Sequence, residues 1–114
     1  MEPSLTKEKR LFERFEARFP AKLKDSREEF GEKVYLRNAC AQGAQLALKD
    51  HVYVNDALTL EVQVPKANYP VTLRGKVVWA KRELSNYWDV GLKFHQVSFM
   101  QLSKIYESAQ ETYL

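Results

Sequence analysis

The 114 residues carry 18 Lys and Arg against 15 Asp and Glu, a formal net charge of +3, and 45% of them are hydrophobic. That length suits one core and is too short for two, and the apolar content is that of a folded chain rather than a disordered one. Acidic and basic residues are interleaved, as in Lys7-Glu8-Lys9-Arg10 and Glu13-Arg14-Phe15-Glu16, which argues against a broad DNA- or RNA-binding face. The single cysteine excludes an intramolecular disulfide. His51 and His95 lack carboxylate or cysteine companions at metal-ligand spacing. The polar start from Met1 to Arg10 has no signal-like apolar region, and no run of about 18 apolar residues follows. The expectation is a cytoplasmic chain with no membrane insertion.

Residues 1–8 read as a flexible lead-in to one domain over 9–114. A first strand is predicted from Arg18 to Lys24, where Phe19, Ala21 and Leu23 alternate with charged residues. Asp25 to Glu32 is a charged turn containing Gly31. A second strand runs from Lys33 to Asn38, with Val34 and Leu36 facing opposite to Tyr35 and Arg37. Ala41-Gln42-Gly43 makes a tight connection, Gly43 supplying a positive φ, and the alternation resumes through Ala44, Leu46 and Leu48. Asn55-Asp56 is a turn signal before Leu58, Leu60, Val62 and Val64, and Pro65 and Pro70 bracket the next loop. The strand from Val71 to Ala80 contains Gly75, which marks a bulge or bend. Ser85-Asn86 turns the chain into a last strand, Tyr87 to His95, on which Trp88 shares a core face with Val90, Leu92 and Phe94.

Beyond that the period becomes helical. Phe99, Leu102, Ile105, Tyr106, Ala109 and Tyr113 form a stripe over about 98–112, with Ser98 and Gln101 spaced as in a capping box. The pattern predicts an all-β fold with a C-terminal helix: a six-stranded antiparallel barrel with the helix plugging one end.

Two segments carry chemistry. Arg10 and Arg14 lie four apart, and a guanidinium grips a phosphate or a guanine Hoogsteen edge bidentately, or lies flat on a base. The hexapeptide Asn38-Ala39-Cys40-Ala41-Gln42-Gly43 follows, where a polar amide and a glycine let a ligand meet the backbone closely. Together they suit a compact ligand that combines phosphates with flat bases.

These residues resemble the PilZ domain family, small bacterial six-stranded barrels, many of which bind cyclic di-GMP. Arg10-Leu11-Phe12-Glu13-Arg14, leading to Phe19-Pro20, resembles the family's Arg-x-x-x-Arg and first strand. Asn38 to Gly43 resembles Asp/Asn-x-Ser-x-x-Gly. Gly75-Lys76-Val77-Val78-Trp79 and Val90-Gly91-Leu92-Lys93-Phe94 are similar to its glycine-to-tryptophan strand and last strand. A second frame, Arg14 to Arg18, stands further from the pattern, because Arg18 alternates with apolar residues as a solvent-facing charge.

The resemblance implies a cyclic di-GMP site formed by Arg10, Arg14, Asn38, Cys40 and Gly43. Trp79 is on the apolar side of its strand, where core packing is the ordinary role, and the resemblance adds it at the ligand edge. Cys40 departs from the family serine, and a thiol is a weaker hydrogen-bond donor than a hydroxyl. Asn38 is a permitted choice but offers one neutral carbonyl where Asp would offer two charged oxygens. The implied function is a non-enzymatic receptor in motility or biofilm control, whose arginine segment moves on ligand binding and signals to a protein effector. A nucleotide-independent interaction module is the alternative. General nucleic-acid binding is a third reading, and a hydrolase built on Cys40 lacks the elbow and oxyanion glycines it needs.

Overall fold

The computed structural model describes residues 10–65, 67–83 and 86–113. Its strands are β1 (Phe15–Glu16), β2 (Pro20–Leu23), β3 (Val34–Cys40), β4 (Gly43–Leu48), β5 (Ala57–Val62), β6 (Val71–Arg82) and β7 (Trp88–Phe94), followed by helix α1 (Phe99–Tyr113). The lead-in over 1–8, Lys9, and Ser85 of the last predicted turn lie outside the described residues.

All pairings are antiparallel. The order β3-β2-β5-β6-β7-β4 returns to its start because β4 also pairs with β3. The result is the expected six-stranded closed barrel, which leaves none of its six strands as a free edge. β1 extends β2 along the same partner: Phe15 pairs with Ala39 and Glu16 with Asn38, while Ala21 pairs with Val34. Pro20 opens β2, where its missing N–H is tolerated. Asn55 and Asn86 take positive φ in their turns, as Asn tolerates, and Gly31 does so in the charged turn.

Alternation fills the barrel. Leu36, Leu46, Leu60, Val62, Val77 and Val90 are fully buried, each worth about 1.5–3 kcal/mol of apolar burial. α1 adds Leu102, Ile105 and Ala109 to the same core, while the exposed N-terminal stretch adds Leu11. The Gln101 N–H donates to Ser98 Oγ at 3.3 Å, the predicted cap of α1. Tyr106 of α1 meets Phe15 edge-on at 5.0 Å. Trp88 is only partly buried; it packs on the core and stacks on His51 at 4.0 Å with the rings nearly parallel.

Two details correct the sequence reading. Gly75 sits in unbroken register with Leu58 and Phe94, and the β6 irregularity lies between Val77 and Trp79. Gly43 does not take positive φ. It is needed for close approach instead, since a Cβ there would lie 2.1 Å from the Leu92 carbonyl oxygen.

Candidate functional site

Two β-bulges shape the site. Counting by twos from Val34 and Leu36 would turn Asn38 into the core, and counting from Val71, Leu73 and Val77 would do the same to Trp79. The register shifts between Leu36 and Asn38 on β3, and between Val77 and Trp79 on β6. Each extra residue moves the following side chain to the other face. Ala39 is therefore buried while Asn38 is not, and Trp79 is 42% exposed. The core role ordinary for Trp79 on this strand is thereby corrected.

Trp79 pairs with Gly91, and a Cβ on Gly91 would lie 2.1 Å from the indole Nε1. The ring thus rests on bare backbone. It forms one wall of an open groove of about 720 Å³, whose other walls include Arg14, Gln42, Gly43, Gln45 and Lys93. That volume is in the range of small-molecule sites. Arg14 and Lys93 line the groove and no described carboxylate does, so its field favours an anion.

The N-terminal segment is fastened beside it. Residues 10–12 are helical, Leu11 is 1% exposed, and the Ala41 N–H in the β3–β4 turn donates to the Leu11 carbonyl at 2.6 Å. Arg14 Nη1 donates to Asn38 Oδ1. The two motifs, separate in sequence, are joined at this bond. Arg18 pairs with Glu16 at 3.1 Å instead, as its solvent-facing placement predicts.

Of the six candidates, Arg14, Gly43 and Trp79 line the groove and Asn38 reaches it through Arg14. Arg10 is exposed and stands apart from the lining. Cys40 is 5% exposed, and its Sγ accepts the Gln42 N–H at 3.4 Å. The thiol braces the hairpin turn, a task a serine hydroxyl also performs.

Sequence reasoning missed Gln45, Asp89 and Lys93. Asn38 Nδ2 donates to Gln45 Oε1 at 2.7 Å, and Gln45 Nε2 donates to Asp89 Oδ1 and Oδ2 at 2.7 and 2.9 Å. Arg37 Nη1 holds Asp89 at 3.3 Å. Cross-strand register assembles this chain, pairing Asn38 with Gln45 and Gly43 with Lys93. A single-strand pattern holds no trace of it. Among the described residues no cluster of His, Cys, Asp and Glu could hold a metal ion, and no helix is long and apolar enough to cross a membrane.

In fold the chain is similar to a solved structure of the Bacillus subtilis inhibitor of motility (MotI/DgrA), with a TM-score of 0.60 and 14% identity. The likeness covers 87% of this chain and 49% of that one, so the chain spans about half its length. No curated protein matches it in sequence. The PilZ domain pattern, by contrast, matches residues 8–109, which take in the arginine segment, both bulged strands, the glycine under Trp79 and most of α1. The chain belongs to the PilZ domain family.

Proposed function

We propose that this chain is a cyclic di-GMP receptor that binds the dinucleotide in the groove between Arg14 and Trp79 and passes its state to a protein partner. The observation that carries the reading is the Arg14–Asn38 bond at the edge of a groove that no described carboxylate lines. A guanidinium can grip a phosphate and an amide carbonyl can accept from a base edge, so this adjacency supports the reading. The chain is a PilZ domain, and the family resemblance implies receptors of this class.

Each residue has a role its chemistry allows. Arg14 takes a phosphate or a guanine Hoogsteen edge. The Asn38 carbonyl accepts from the Watson–Crick edge of a guanine. The exposed face of Trp79 offers a base a flat surface for stacking. Gly43 keeps the wall low, and Cys40 holds the turn that carries it. Binding draws Arg14 off Asn38 and turns the segment inward, which brings Arg10 to the ligand. The rearranged segment is what the partner protein reads. Motility or biofilm formation is the process proposed, and the fold neighbour is named an inhibitor of motility.

The test is a calorimetric titration of cyclic di-GMP into the wild-type chain and an Arg14→Ala variant. Saturable binding, weakened at least about tenfold in the variant, is expected for a lost charge-assisted contact. A flat titration of folded wild-type protein would overturn the reading.

Two observations favour a second reading, an interaction module that binds no nucleotide. Arg14 and Asn38 already satisfy each other, and the Cys40 sulfur is engaged with the turn. On that reading excess cyclic di-GMP leaves the thermal midpoint unmoved, whereas a ligand of the folded state raises it.

A further inference from the structure

We propose that Gln45 and Asp89 are positioning residues that fix the Asn38 amide with its carbonyl toward the groove, so that the site selects a ligand edge that donates. The inference rests on the receptor reading above. It starts from the polarity of the hydrogen-bond chain Arg14–Asn38–Gln45–Asp89.

The two ends have fixed character. A guanidinium only donates, and a carboxylate only accepts. Each of the two amides between them can do both, so only one orientation of each satisfies every link. Gln45 Nε2 donates to both oxygens of Asp89, at 2.7 and 2.9 Å. That leaves Gln45 Oε1 facing Asn38, whose Nδ2 donates to it at 2.7 Å. Asn38 Oδ1 must then point to Arg14. Asp89 is itself held, with its side chain 13% exposed and Arg37 Nη1 at 3.3 Å.

This matters once a ligand arrives. When Arg14 leaves Asn38 for a phosphate, one of the two restraints on the amide is gone. Only the arm from Asp89 through Gln45 still keeps the carbonyl outward. A guanine edge presents two neighbouring donors, N1–H and the N2 amino group, whereas adenine sets an acceptor beside its donor. A held acceptor discriminates between them because a mismatched polar group is left unpaired. A freely turning amide would not.

The experiment uses the full chain and the variants Asp89→Asn and Gln45→Leu. Asp89→Asn keeps the shape but loses the fixed polarity, while Gln45→Leu cuts the arm and leaves Asp89 with Arg37. Cyclic di-GMP and cyclic di-AMP are titrated into each, and the Asn38 side-chain amide resonance is followed in the ligand-free proteins. Both variants should bind cyclic di-GMP about tenfold more weakly, the worth of one hydrogen bond. Their preference over cyclic di-AMP should shrink, and the Asn38 resonance should move toward that of a solvated amide.

Unchanged selectivity and an unmoved resonance in both variants would overturn the proposal while leaving the receptor reading intact. A flat wild-type titration would sink the receptor reading instead, and the Asn38 resonance alone would decide whether the arm holds the amide. If Asp89→Asn fails to fold, Gln45→Leu carries the same measurements.

Discussion

At position 91 there is no room for one methyl group. A Cβ there falls 2.1 Å from Trp79 Nε1, so Gly91→Ala must lift the indole or part β6 from β7. Lifting is easier, because the obstacle is an exposed side chain rather than backbone. The variant should fold with a stability loss of about 1–3 kcal/mol, as for other overpacked sites. In a Trp88→Phe background, where Trp79 is the remaining indole, its emission should shift to the red; an unchanged spectrum would mean the ring does not rest on Gly91. Cys40 takes on a different meaning in the fold. The thiol that departs from the family serine looks, in sequence, like a weakened ligand contact. In the fold its sulfur serves the Gln42 N–H, so the departure falls on the turn before it falls on any ligand.

Among the elements, the charged turn before β3 is fastened by side chains. Lys33 Nζ reaches Glu28 Oε1 at 2.9 Å and Asp50 Oδ2 at 3.7 Å, tying the turn to the loop that follows β4. The hydrogen bond from Lys33 holds the Glu28 carboxyl below its ordinary 4.5, and the same bond raises Lys33 above 10.5. Glu28 thus favours the folded state above pH 4.5 and loses that contribution as pH falls through its lowered value. Lys33 favours it below pH 10.5 and loses that contribution as pH rises through its raised value. Both groups are partly open to solvent, so salt weakens the tie and the gain in stability is small. In Lys33→Met the Glu28 midpoint, followed by NMR titration, should return toward 4.5; a midpoint that stays low would assign the shift to another neighbour.

The strands were legible where alternation is regular. β2, β4 and β5 follow from Ala21, from Leu46 and Leu48, and from Leu60 and Val62, and Ser98 announced α1. The two bulges were not legible. An extra residue such as Arg37 or Val78 carries no obligatory residue type, and Gly75, the residue that does suggest an irregularity, lies in regular register. Arg14, Asn38, Gly43 and Trp79 could be named from short motifs. Gln45 and Asp89 could not, because they become neighbours only through the pairing of β4 with β7.

At the scale of the molecule, closure joins the groove to the core. Leu11 belongs to the same buried cluster as Leu102 and Ile105, and its neighbour Phe12 lies against Phe99 at the start of α1, ring centroids 5.9 Å apart. The arginine segment is therefore packed on the helix as well as on the β3–β4 turn. Leu11→Ala should cost about 2–5 kcal/mol by the cavity it leaves. It should also speed hydrogen exchange at the Ala41 amide, which bonds to the Leu11 carbonyl, more than at the Leu36 amide within the barrel. Equal acceleration at both would mean that Leu11 supports the whole core and not this junction in particular.

The anchor at Leu11 also sets a radius of action. Arg14 is three residues beyond it, and a chain of three residues spans at most about 10 Å. With Leu11 seated, the backbone at Arg14 can swing across the mouth of the groove but cannot follow a ligand away from it. Whatever the guanidinium grips is pressed against the barrel wall or not held at all.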